Sequence, residues 1–341
     1  MNSSTGIEQL PKSVGKLQFL ETLDIRYTKV RTLPSTIGHL KSLCCLRGGL
    51  SLQADPARSG GGGDPWGMDV PKDIGKLQEL KTTGTLSIRN QDRQVLQELS
   101  RLTQLQRLSV TGITDRNGPD LCSTLKHLSC LQSLALHSPG FLEGLPQSLL
   151  ADSLQSPLER LEVLKLYGNL PALPQWISGL WNLFKLYLRN TKLEGPLYGM
   201  NVLEHLPNLT TLLLLKDSIL APQLTFKYGA FEELELLELS CLADLASLAF
   251  KAWAMPKIKT LHVNGCNNLD GLLIKKGAMA KPETLEIKYC YGLRLVSFEG
   301  ASVRMPMLKK FQVGDCKNLR LLKFAKGDMP NLETLPSQEL L

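Results

Sequence analysis

The stretch 17-LQFLETLDIRYTKVRTLPSTIGHL-40 decides how the rest of the chain is read. Apolar residues fall at Leu17, Leu20, Leu23, Ile25, Val30, Leu33, Ile37 and Leu40. Leu17 and Leu40 are the same point in two successive copies, 23 residues apart. Leu23 and Ile25, two apart, read as a short strand with both side chains inward, because strand side chains alternate. Thr22, Asp24 and Arg26 then face out. The Leu33-Pro34 step ends the strand side of the turn, and Ser35 to Leu40 reads as a short helical or 3₁₀ return.

The same phrase recurs along the chain. Inward pairs are expected at Leu86/Ile88, Leu108/Val110, Leu134/Leu136, Leu164/Leu166, Leu186/Leu188, Leu212/Leu214, Leu237/Leu239, Leu261/Val263, Leu285/Ile287 and Phe311/Val313. Successive starts lie 22, 26, 30, 22, 26, 25, 24, 24 and 26 residues apart. Length varies between strands, as it does when loops absorb insertions and the sheet stays in register. Pattern and period are those of a leucine-rich repeat. No turn buries its leucines alone, so copies must stack. The fold class is therefore α/β, a leucine-rich-repeat solenoid or curved horseshoe. One parallel sheet of about twelve short strands is expected on the concave face, with irregular, 3₁₀ or short helical segments on the convex face. One repeat domain covers 1–341.

Bulk composition narrows the classes. No run of 18 or more apolar residues occurs, so no membrane span is expected. The N-terminus lacks the basic end and apolar core of a signal peptide. The Asn2-Ser3-Ser4 and Asn208-Leu209-Thr210 matches to the glycosylation pattern are read as chance. Eight cysteines without a Cys-x-x-Cys pair fit a reduced, cytoplasmic protein better than a disulfide framework. The net charge of +7 is uneven: residues 251–341 carry 15 basic and 8 acidic side chains, while the first 250 balance.

Two segments depart from the regular turn. Residues 55–65, with Gly60 to Gly63 flanked by Pro56 and Pro65, read as a flexible glycine-rich insertion on the rim. A phosphate-binding loop would need Gly-Lys-Ser/Thr, whereas Gly15-Lys16 and Gly75-Lys76 are each followed by leucine. Residues 257–335 form a variant of their own, with Met255-Pro256, Met305-Pro306 and Met329-Pro330 at the turn starts. Cys266, Cys290 and Cys316 each stand three residues after the second inward residue. A column of one thiol per turn offers no tetrahedral cage, so these read as a structural ladder that donates to backbone carbonyls. The chain begins with Ile7 to Leu17, the back half of a turn. Neither end shows a polar cap, the pattern expected of the tail of a longer protein or a truncated product.

Three features together carry a family resemblance. They are Leu33-Pro34-Ser35-Thr36-Ile37-Gly38-His39-Leu40; the run from Gly84-Thr85-Leu86-Ser87-Ile88 to Leu99-Ser100-Arg101-Leu102-Thr103-Gln104-Leu105-Gln106-Arg107-Leu108; and the late Met-Pro-x-Leu turns. The chain resembles the C-terminal repeat domain of plant intracellular nucleotide-binding leucine-rich-repeat (NLR) disease resistance proteins, of the coiled-coil class found in cereals. The resemblance implies a protein-interaction domain for effector sensing and autoinhibition in defence. It implies protein partners: a pathogen effector, a host guarded protein or the receptor's own nucleotide-binding domain. The signalling coiled coil and nucleotide switch of such receptors have no counterpart here. The alternatives are a free-standing cytosolic signalling scaffold or enzyme inhibitor, and a receptor fragment without independent function.

Chemistry is not expected. The five histidines, 39, 127, 137, 205 and 262, fall in no hydrolase, zinc-protease or kinase motif. No enzyme activity, cofactor or metal is anticipated, and no nucleic-acid-binding motif accompanies the modest charge. The outward strand positions point to partner binding instead. Lys165, Tyr167, Lys185, Tyr187 and Arg189 combine aromatic and basic side chains of the kind enriched at interface anchors. Asp24, Arg26 and Tyr27 make a second candidate in the first turn. Lys257, Lys259, Lys275, Lys276, Lys309 and Lys310 are expected to form a basic C-terminal surface facing an acidic surface or a negatively charged ligand.

Overall fold

The computed structural model describes residues 6–49, 67–89, 93–138, 144–150, 158–170, 172–194, 199–299 and 305–324. The glycine-rich stretch 55–65 and the final Met329-Pro330 turn lie outside the described residues. Two compact units are present: Met1–Asn169 with Pro174–Asn182, and Leu170–Leu173 with Leu183–Leu341.

The first unit is built on parallel strands β1 (Thr22–Asp24), β2 (Cys45–Arg47), β4 (Thr82–Ser87), β5 (Arg107–Thr111), β6 (Ser133–His137) and β7 (Val163–Tyr167) in that order, with β3 (Met68–Asp69) beside β4. The predicted inward pairs stack in register: Leu108 on Leu134 on Leu164. Return segments are 3₁₀ at Lys12–Lys16, Ser35–His39, Ile74–Lys76 and Gln175–Gly179, and helical in α1 (Arg93–Leu99) and α2 (Gly118–Leu125). Apolar residues at Leu96, Leu99, Leu121 and Leu125 recur with helical spacing and are fully buried.

One register expectation fails here. Leu86 pairs with Val110, not Leu108, and Ile88 lies just past the strand. β4 carries an irregularity between Thr82 and Thr85, so one more residue spans the same rise than on β5. Gly84 makes this possible: a Cβ there would stand 2.3 Å from the Gly48 carbonyl oxygen and 2.4 Å from the Gly48 nitrogen. Only glycine permits that backbone approach.

The second unit carries β8 (Lys185–Arg189), β9 (Thr211–Leu215), β11 (Leu236–Ser240), β13 (Thr260–Asn264), β15 (Thr284–Lys288) and β17 (Lys310–Gly314) in one parallel order. Leu186, Leu212, Leu237, Leu261, Leu285 and Phe311 form one buried row across it. At each strand's end the chain turns through a left-handed residue: Asn190, Lys216, Cys241, Gly265, Tyr289 and Asp315 have φ between +43° and +65°. Side chains pay a steric cost there that glycine avoids.

The far side of this unit corrects the expectation of irregular or helical returns. A second parallel sheet of five strands runs there, in the order β10 (Gln223–Phe226), β12 (Ser247–Phe250), β14 (Gly271–Lys275), β16 (Leu295–Glu299), β18 (Leu321–Lys323). The cause lies in the local pattern. Leu224/Phe226, Leu248/Phe250, Leu272/Ile274 and Val296/Phe298 alternate with a period of two, which is a strand pattern. Each of these pairs is buried, and Phe226 stacks on Phe250 with centroids 5.0 Å apart.

The cysteine ladder lies between these two sheets' strands in sequence and is buried throughout. Cys266 Sγ donates to the Leu239 carbonyl (3.8 Å), Cys290 Sγ to Lys288 (3.4 Å) and Cys316 Sγ to Gly314 (3.4 Å). Hydrogen bonding to the Cys266 sulfur pushes the Cys290 thiol up to about 12.

Candidate protein-interaction surfaces

The solvent faces of the main strands follow from alternation: in β7 and β8 the odd positions are half-exposed and the leucines between them buried. Lys165 and Tyr167 belong to the first unit, and Lys185, Tyr187 and Arg189 to the second. Each group is built by its own neighbours.

In the first unit Tyr167 is not simply a surface residue. It stands beside His137 in register, and the two rings stack at 4.3 Å with 4° between their planes. His137 is 6 % exposed. Its Nε2 lies 3.3 Å from Ser109 Oγ, which lies 3.1 Å from Thr85 Oγ1. Burial, reinforced by the Lys165 charge, lowers the imidazole pKa from 6.5 to about 3, so the ring is neutral at physiological pH. The sequence showed an isolated histidine; its role depends on a register set by the connection between β6 and β7.

In the second unit two of the three solvent-facing residues beside β8 are leucines. Register places Leu213 next to Tyr187 and Leu215 next to Arg189, both half-exposed on the solvent face. Lys185 Nζ stands 5.3 Å from the Tyr187 ring centroid, within cation–π reach. An aromatic ring, two leucines and two cations thus share one face. The inward pair Leu212/Leu214 already leaves Leu213 and Leu215 outward; the pairing of β8 with β9 is what sets them beside Tyr187 and Arg189.

Further along the same face Glu286 is approached by two lysines and a histidine. Lys288 Nζ is 3.1 Å away, Lys310 is hydrogen-bonded to it, and His262 Nε2 is 3.9 Å away. These bonds, Lys310's foremost, hold the Glu286 carboxyl below its usual range.

The first-turn candidate is internally paired. Arg26 Nη2 is 2.6 Å from Asp24 Oδ2, and Arg47 Nη1 is 3.9 Å from the same oxygen. Tyr27 is 42 % exposed at φ +64°, with the Arg26 guanidinium 6.0 Å from its ring centroid.

The six C-terminal lysines do not make one surface. Lys257 pairs with Glu233 at 2.6 Å, Lys259 with Glu235 at 2.8 Å, and Lys310 with Glu286. Each carboxylate comes from the preceding turn, where the repeat length places it beside the lysine. Lys309 follows the same approach to a main-sheet strand, whereas Lys275 ends β14 of the second sheet and Lys276 begins the turn after it. Net charge by sequence block could not separate two sheets that alternate along the chain.

Among the described residues no cluster of three or more metal-binding side chains occurs, and no helix is long and apolar enough to cross a membrane. Residues 2–288 match the protein family described as leucine-rich repeat region. The chain is similar to disease resistance protein Pik-2 of Oryza sativa subsp. japonica, 30% identical over 234 residues that cover 61% of this chain and 22% of the rice protein. It is also similar to disease resistance protein RPM1 of Arabidopsis thaliana, 29% identical over 167 residues covering 49% of this chain and 17% of that protein. The chain thus spans about a fifth of the length of these curated relatives. Among solved structures, an internalin from Listeria monocytogenes aligns over 93% of this chain and 78% of its own at TM-score 0.40 and 14% identity. With stacked parallel strands on a leucine core and a family match over most of its length, the chain belongs to the leucine-rich repeat family.

Proposed function

We propose that this chain is the protein-interaction repeat domain of a plant immune receptor, engaged in effector sensing and autoinhibition. The carrying observation is the face formed by Lys185, Tyr187 and Arg189 with Leu213 and Leu215. Such a mixture of aromatic anchor, aliphatic floor and cationic rim is the composition of an interface core. The likeness to plant disease resistance proteins supports the receptor context. Lys165 and Tyr167, and the first-turn group Asp24, Arg26 and Tyr27, are secondary contact points in this reading.

The test compares Tyr187→Ala/Leu213→Ser with Leu188→Ala in the complete receptor. The surface pair is expected to change recognition or self-activation at normal protein level. Leu188→Ala is expected to lower the level itself, since a fully buried leucine is lost. A surface pair that signals and binds like wild type would show that recognition resides elsewhere.

A further inference from the structure

The second sheet ends, on three successive strands, in the same turn. Lys227-Tyr228-Gly229-Ala230, Lys251-Ala252-Trp253-Ala254 and Lys275-Lys276-Gly277-Ala278 recur at 24-residue intervals. Each closes with an alanine N–H donating to the lysine carbonyl, at 3.3, 3.2 and 2.9 Å. Phe226, Phe250 and Ile274, the residues before the lysines, are in register. The three lysines therefore stand in one row, about 4.7–4.9 Å apart.

The third turn residue is left-handed in all three: Gly229 at φ +71°, Trp253 at +57° and Gly277 at +73°. Glycine is the residue this position favours. A tryptophan there bears backbone strain, and its indole is not buried in return: it lies against Gly277 and is 55 % exposed. Tyr228, in the neighbouring turn, is 76 % exposed. Strain on an exposed aromatic points toward function.

Charge gives the row its chemistry. Lys227, Lys251, Lys275 and Lys276 form no ion pair among the described residues, in contrast to Lys257, Lys259 and Lys310. Glu299, beside Lys275 in register, ends the row. Like charges side by side repel one another, so a counter-charge from outside would relieve them.

We infer that this lysine row, with Trp253 and Tyr228, is a docking surface for an acidic helical segment of a protein partner. Spacing selects the helix. Carboxylates at i and i+4 on a helix stand about 5–6 Å apart, close to the lysine interval, whereas same-face carboxylates on an extended strand stand roughly 6.6–6.8 Å apart. Apolar residues flanking the acidic stripe would meet the exposed rings. This surface shares no residue with the one on β8 and β9, so either can fail without the other.

The full chain is titrated with a fluorescently labelled, alanine-rich helical peptide of about twenty residues bearing glutamates along one face. Fluorescence anisotropy is the readout. A peptide of the same composition with its glutamates spread round the helix is expected to bind at least about tenfold more weakly. Lys227→Glu/Lys251→Glu/Lys275→Glu is expected to weaken the in-phase peptide by a similar factor, and raised salt to weaken it further. Trp253→Gly should lose affinity several-fold with an unchanged or raised melting temperature, because it restores the favoured turn residue. Equal binding of both peptides, unchanged binding by the lysine variant, or a lowered melting temperature in Trp253→Gly would each overturn the inference. So would tighter binding of phosphatidylserine vesicles or a single-stranded oligonucleotide, which would assign the row to a membrane or a nucleic acid.

Discussion

The imidazole of His137 lies parallel to the phenol ring of Tyr167, centroids 4.3 Å apart and planes 4° from coincidence. Tyr167 therefore covers a buried neutral histidine, and a residue expected to touch only solvent and fellow surface residues belongs partly to the fold. Its counterpart Tyr187 instead packs under Lys185 beside Leu213.

Stability should fall as acid protonates the unfolded chain's histidine. The native His137 pKa is about 3 against an ordinary 6.5. Above 6.5 both states are neutral and the contribution is fully present. Below it the unfolded state binds the proton first, so stability is lost from pH 6.5 down to about 3. By pH 5 the loss should reach about 2 kcal/mol. Urea midpoints of wild type and His137→Asn at pH 7 and pH 5 check this; the variant should lose less.

The two tyrosines should separate in a folding assay. Tyr167→Ala uncovers His137 and removes a stacked pair, so it should cost about 1–2 kcal/mol. Tyr187→Ala should cost no more than roughly 0.5–1 kcal/mol. Buried Leu166→Ala or Leu188→Ala should cost about 2–5 kcal/mol. Chemical denaturation of the four variants ranks them, and equal losses at the two tyrosines would refute the assignment.

Trp176 tests a polar contact in the core. It is fully buried, and its Nε1–H donates to the Leu149 carbonyl at 2.7 Å. Trp176→Phe keeps an aromatic ring but leaves that carbonyl unpaired and a void behind. A loss of about 2–4 kcal/mol is expected in the denaturation midpoint.

Thiol chemistry should read out the ladder. Cys266, Cys290 and Cys316 are buried, the Cys290 thiol is pushed up to about 12 and that of Cys316 is also raised. Cys241 is exposed. Iodoacetamide at pH 8 should modify Cys241 early and Cys290 and Cys316 only on unfolding, since the thiolate is the nucleophile. Peptide mass mapping across a time course would show it.

The repeat, its period and most of the inward rows were legible in the sequence, because leucines two apart recurring at near-constant distance admit one economical burial. Leu108, Leu134 and Leu164 stack as the spacing requires. Cysteine placement was legible for the same reason: one thiol per turn at a fixed offset from a strand can only stack. What failed was local. The bulge at Gly84 adds one residue to β4 and so sets Leu86 opposite Val110, and it depends on a backbone approach to Gly48 that no periodicity encodes. The five-stranded second sheet was written in alternating pairs such as Leu248/Phe250, but two-residue signals are too short to compete with the dominant repeat.

Stacking of the turns follows from the leucine spacing, since no turn can hide its own leucines and only neighbours of equal pattern can cover them. Which surface residues meet depends on the folded register. Ring stacking of His137 on Tyr167, the approach of Lys310 and His262 to Glu286, and the row of Lys227, Lys251 and Lys275 all join residues separated by whole turns. Loops of unequal length set that register, and contacts between side chains of different turns exist only once the strands have paired. A count of charges along the chain sees a basic tail; the folded turns divide it into lysines neutralised by the previous turn's glutamates and lysines left facing water.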